Sequence, residues 1–147
     1  MSVMTLEQAS TIIDVALKEA RRHNMSPLCI VVLDPGASPL ALKREDRASM
    51  SRPQVATAKA AGCLAMGFGG REITRRAQSA PTFYSALNSL FPHGLLPVPG
   101  GVLIRDAAGT VLGAVGVTGD TSDNDELCAV AGIHAAGLMA DTGAPKA

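Results

Sequence analysis

The chain has 147 residues, of which 47% are hydrophobic but only 3% aromatic, and its 13 Lys plus Arg balance 13 Asp plus Glu. That length suits a single domain over 1–147, with a core filled by Ala, Val, Leu, Ile and Met rather than by rings. Zero net charge gives a phosphate backbone no footprint, which argues against nucleic acid. No apolar run approaches the ~20 residues of a membrane helix.

Taken in chain order, Thr5 and Gln8 make a capping box that opens a helix. Its stripe of Leu6, Ala9, Ile13, Ala16, Leu17 and Ala20 lies opposite Glu7, Asp14, Lys18 and Arg21. Arg21, Arg22 and His23 suit the helix's negative end, and Asn24 terminates it. Residues 28–33 are a continuous apolar, β-branched run and read as a buried strand. Asp34-Pro35-Gly36 is turn chemistry, so 40–44 pairs back as a hairpin. Ser51 and Pro53 open an alanine-rich helix through Met66, stopped by Gly67, Gly69 and Gly70. Shorter helices cover 71–78 and 82–90, divided near Pro81.

The Pro- and Gly-rich stretch 91–101 reads as irregular, with room for a short extra strand near Leu96. Strands over 102–105 and 111–118 form a second hairpin about Asp106 to Gly109. Gly113, Gly116 and Gly119 in and after its second arm mark a place where something approaches the backbone closely. Asp123 with Glu126 starts a last helix that runs to about Ala140. Its stripe of Leu127, Val130, Ala131, His134 and Leu138 faces the core or a subunit interface. Hairpins in place of β-α-β crossovers imply an antiparallel sheet flanked by helices.

Cys29, Cys63 and Cys128 are far apart and form no C-x-x-C pair, so they read as buried, reduced thiols. The start, 1–5, has neither a cationic run nor an apolar signal core. Both observations point to the cytoplasm.

Three blocks of the chain resemble the GlcG/HbpS-like family, which includes the C-terminal domain of PduO proteins. They are Asp34-Pro35-Gly36 through Lys43-Arg44-Glu45-Asp46; Ser51 with Ala58-Lys59-Ala60; and Pro99-Gly100-Gly101 followed by Gly113-Ala114-Val115-Gly116 and Asp125-Glu126. The resemblance implies an α/β (α+β), profilin-like fold: an antiparallel five-stranded sheet with helices on both faces. It also implies homo-oligomers, dimer or higher, haem or corrinoid-related roles, and a setting in catabolic operons. This chain departs from the pattern at Arg47, where the family usually has Gly. It also departs at Ser38 and Lys43, in the turn and strand where many members carry a histidine.

Candidate site residues follow from chemistry. His93, on the loop before the double glycine, is the best-placed imidazole for an axial ligand or acid–base group. Any haem is held non-covalently, since no C-x-x-C-H motif exists, and no zinc spacing is present. Arg44 and Arg47 suit a carboxylate ligand, with Asp46 orienting one of them. Lys59 joins that pocket if burial lowers its pKa, as a base or Schiff-base former. Gly100, Gly101 and Gly116 provide either close packing or a backbone wall for a flat ligand. The aspartates about 120–126 read as helix caps, with a hard-cation site as the alternative.

The function expected is binding of a small molecule, haem or an anionic metabolite, as an accessory in a catabolic or cofactor pathway. The alternative is an enzyme, an isomerase, lyase or hydrolase of a small carboxylate, working through a cationic pocket at a subunit interface.

Overall fold

The computed structural model describes residues 3–145. In chain order the elements are α1 (Leu6–Arg22), β1 (Cys29–Leu33), β2 (Pro39–Arg44), α2 (Arg52–Met66), α3 (Gly70–Ser79), α4 (Pro81–Asn88), β3 (Gly101–Arg105), β4 (Val111–Thr118), α5 (Ser122–Ala135) and β5 (Met139–Asp141). The strands form one five-stranded sheet in the order β2-β1-β4-β3-β5, antiparallel throughout. This is the α+β architecture with helices on both faces expected from the sequence. Among the described residues no helix is long and apolar enough to cross a membrane.

The sheet separates two apolar layers because strand side chains alternate between faces. Ile30 and Val32 of β1, with Val102, Val115 and Val117, meet Ile12, Ile13 and Ala16 of α1 and Cys128, Ala129 and Ile133 of α5. Cys29, Val31, Leu33, Leu103 and Ala114 point the other way, against Ala56, Ala60 and Cys63 of α2. Each fully buried aliphatic contributes roughly 1.5–3 kcal/mol. With few rings available, the layers gain density from close backbone approach. A Cβ on Gly116 would overlap the Ala56 carbonyl of α2, and one on Gly132 would overlap the Ile12 carbonyl of α1.

Local chemistry sets the helix ends. Gln8 N–H donates to Thr5 Oγ1 at 3.0 Å and Thr5 N–H to Gln8 Oε1 at 3.0 Å, completing the capping box. The α1 core stripe includes Ile12 and omits Leu6, which is exposed. Helix α5 is capped by Thr121, whose hydroxyl accepts from Asn124 N–H at 3.2 Å, and not by Asp123. It also stops at Ala135, well short of residue 140. Gly137 (φ 77) donates to His134 O at 3.0 Å, and Leu138 N–H donates to Ile133 O at 3.2 Å. That is a Schellman cap, and it turns the chain into β5. The fifth strand is therefore 139–141, while Leu96 lies in irregular chain. The buried stripe of α5 is Asp125, Cys128, Ala129, Gly132 and Ile133. Leu127 and His134 point outward.

Candidate functional site

Lys59 lies mid-helix in α2 and is 5% exposed. Its ammonium donates to Val117 O at 2.9 Å and to Asp125 Oδ2 at 3.1 Å. Asp125, 1% exposed, belongs to α5 on the opposite face of the sheet, and its Oδ1 accepts from Asp120 N–H at 3.0 Å. The pair therefore passes the end of the sheet and ties its two helical layers together. Room for it comes from Gly100, where a Cβ would sit 2.9 Å from Lys59 Nζ. Burial lowers the Lys59 pKa, partly offset by Asp125, and burial raises that of Asp125, partly offset by Lys59. In both, desolvation outweighs attraction, as for many buried pairs.

The other candidate cations, Arg44 and Arg47, lie at the foot of β2. A cleft of about 680 Å³ is bordered there by Arg21, Lys43, Arg44, Asp46 and Arg47, over Leu17 and Pro27. Two of its cations are already neutralised: Arg21 Nε is 3.1 Å from Glu45 Oε2, and Lys43 Nζ is 2.7 Å from Asp14 Oδ1. Glu45 is fixed in turn, since its Oε1 accepts from Leu28 N–H at 2.8 Å. Arg44, Asp46 and Arg47 make no ion pair or hydrogen bond through their side chains among the described residues. Ala48 N–H donates to Glu45 O at 3.1 Å, closing a turn in which Arg47 sits at φ 73. A left-handed backbone costs a residue with a Cβ roughly 1–2 kcal/mol, and glycine very little.

His93 is elsewhere. It is exposed on the irregular loop and lines two adjoining cavities between the β1–β2 hairpin and α2. The larger, about 480 Å³, has Val31, Leu33 and Leu42 from the sheet facing Pro53 and Thr57 of α2. The smaller, about 300 Å³, continues past Gly36 to Leu64 and Phe91. Ala37, Pro92 and His93 are common to both, so the two make one groove. The hairpin wall is held by Asp34, whose Oδ1 accepts from Gly36 N–H at 2.9 Å and Ser38 N–H at 3.0 Å.

The residues gathered by sequence into one pocket thus divide three ways. Arg44, Asp46 and Arg47 share the cleft, His93 lines the apolar groove, and Lys59 is sealed between layers and borders neither cavity. Gly100, Gly101 and Gly116 lie under α2: a Cβ on Gly101 would overlap the Lys59 carbonyl, as one on Gly116 would that of Ala56. Of the two roles open to them, they perform close packing.

The carboxylates of α5 are also spoken for. Arg71 reaches Asp123 at 2.7 Å and Glu126 at 2.9 Å, and Asp120 accepts from Asn124 Nδ2 at 2.7 Å and Ser26 N–H at 2.9 Å. Asp125 reads as a helix cap in sequence, and only the structure shows it as the partner of Lys59. The structure alone likewise shows Ala37, Leu42 and Pro92 as groove walls. No spacing rule joins these residues, which come from the β1–β2 turn, β2, the loop after α4, and α5.

Solved structures that share this fold include the following. The Klebsiella pneumoniae protein ORFY superposes with a TM-score of 0.82 at 27% identity, covering 93% of this chain and 92% of its own. HbpS superposes with a TM-score of 0.78 at 26% identity, over 91% and 90%. The PduOC:heme complex gives 0.84 at 19% identity, over 94% and 98%, a likeness of fold. In sequence, an uncharacterized 15.0 kDa protein from the dhaT-dhaS intergenic region of Citrobacter freundii is 29% identical over 129 residues, 88% of this chain and 89% of that one. The family model described as haem degrading protein HbpS-like matches residues 4–134, and the chain belongs to that family.

Proposed function

We propose that this protein binds a flat, largely apolar small molecule, with haem as the candidate, in the groove between the β1–β2 hairpin and α2. The observation that carries the reading is the place of His93, the imidazole common to two contiguous cavities with apolar walls. Ligand sites have this character: mostly apolar lining with few, well-placed polar groups. The β1–β2 turn itself offers Ala37 and Ser38 and no imidazole. His93 supplies an imidazole to the same cavity from the facing loop.

The groove fits haem in its donor set, one imidazole among apolar side chains, with Thr57 and Gln54 as polar neighbours. Bound haem supplies redox chemistry at its iron. Leu42 and Pro53 would pack against the bound group, His93 would offer it an imidazole, and the apolar walls would keep water out. The family description and the haem complex of the PduO domain support this reading.

An accessory role in a catabolic or cofactor pathway accords with a similar protein whose gene lies between dhaT and dhaS. We further infer a cytoplasmic homo-oligomer, dimer or higher. Three free thiols suit a reducing compartment, and α5 turns Leu127 outward. A second reading, turnover of a small carboxylate, draws on Arg44 and Arg47 with Asp46. Because Lys59 and His93 border other regions, that cleft holds binding groups without the lysine and imidazole the reaction was expected to use.

The test is an absorbance titration with haemin beside His93→Ala. The reading requires saturation near one haemin per chain and a Soret maximum that moves in the variant. Non-saturating uptake, or identical spectra, contradicts it.

A further inference from the structure

We propose that the cleft at the foot of β2 is a second ligand site, separate from the His93 groove, that takes a small dicarboxylate between Arg44 and Arg47. Two of the four cations that line the cleft are already paired. Arg21 and Lys43 spend their charges on Glu45 and Asp14. Arg44 and Arg47, three positions apart around one turn, keep both guanidiniums unpaired among the described residues, beside a cleft of about 680 Å³. A guanidinium fork matches a carboxylate through two parallel hydrogen bonds, so two forks fit two acid groups better than one.

The surroundings suit a short carbon chain between those acids. Leu17 and Pro27 give an apolar floor, and Glu45, locked onto Leu28 N–H and Arg21, repels an anion that strays from the arginines. Among the described residues Asp46 makes no side-chain ion pair or hydrogen bond, so it is available to accept a hydrogen bond from a hydroxyl on the ligand. Arg47 carries independent weight: it occupies a left-handed position that glycine adopts freely, so a large cationic side chain is held there against backbone preference. Such outliers concentrate where a side chain is aimed at a ligand. The site shares no lining residue with the His93 groove.

Thermal melting at fixed ionic strength with succinate, acetate and sulfate tests this, using wild type, Arg47→Gly and Arg47→Asn. Wild type should show a saturable rise in Tm with succinate and at least tenfold weaker half-saturation with acetate or sulfate. Both variants tolerate the left-handed backbone, so without ligand they should melt no lower than wild type, while the succinate rise is lost. Their haemin titrations should match wild type. Retention of the succinate rise in both variants overturns the proposal, as does an equal rise with sulfate or no rise with succinate, malonate or glutarate. Loss of haemin binding in Arg47→Gly overturns the separateness of the two sites.

Discussion

Lys59 Nζ and Asp125 Oδ2 meet 3.1 Å apart at the end of the sheet and join α2 on one face to α5 on the other. Removing one partner strands a buried charge, which typically costs about 3–5 kcal/mol, whereas replacing both by apolar groups is often neutral or better. Lys59→Met and Asp125→Leu should each lower urea stability by about that amount. Lys59→Met/Asp125→Leu should recover most of the loss, less about 1–2 kcal/mol for the Val117 carbonyl and Asp120 N–H left without partners. Additive losses in the double variant would contradict a coupled pair.

The same pair sets a pH signature. The folded pKa of Asp125 is raised from 3.8, so the native state holds its proton longer, and stability from this group falls as pH rises through that window. The folded pKa of Lys59 is lowered from 10.5, so the unfolded state binds more protons below 10.5, and stability from this group rises with pH there. Relative to Lys59→Met/Asp125→Leu, wild type should therefore be least favoured between the two windows. Asp120 acts oppositely. Hydrogen bonds from Asn124 and Ser26 hold its pKa down at about 2, so its contribution is present above 3.8 and lost as pH falls through about 2. Urea unfolding at a series of pH values separates the two, since the acid limb persists in the double variant and disappears in Asp120→Asn.

Burial makes the thiols inert. Cys29, Cys63 and Cys128 are fully buried, and desolvation raises all three pKa values, those of Cys63 and Cys128 to about 12. Since the thiolate is the reactive form, a thiol reagent at pH 8 should label almost none in the native protein. It should label all three once the chain is unfolded. Rapid native labelling of any one would show that its layer opens.

Much of this fold was legible because its signals are local. Thr5 with Gln8 fixes the start of α1, and the β-branched run at 29–33 fixes β1. The failures have definite causes. Apolar residues at 138–140 extend the α5 pattern on paper, whereas the Gly137 cap ends the helix at Ala135. Arg44, Asp46 and Arg47 border one cleft because a single turn brings them together. Lys59 was added to them although its partner is 66 residues away and reachable only through the sheet.

The groove can be tested from its wall. Leu42 is 41% exposed on the edge strand β2 and borders the larger cavity. Leu42→Glu should leave stability within about 1 kcal/mol, because the carboxylate can reach water. It should weaken haemin binding tenfold or more. Unchanged haemin affinity in a folded variant would move the ligand elsewhere.

Chemical rescue examines most directly our proposal that His93 presents its imidazole to the bound ligand. Haemin would be titrated into His93→Ala, and free imidazole then added while the Soret band is followed. Recovery of the wild-type spectrum at saturating imidazole, with no change in wild type over the same range, is the result predicted. A variant whose spectrum already equals wild type, or one that imidazole leaves unaltered, would show that His93 is not the ligand.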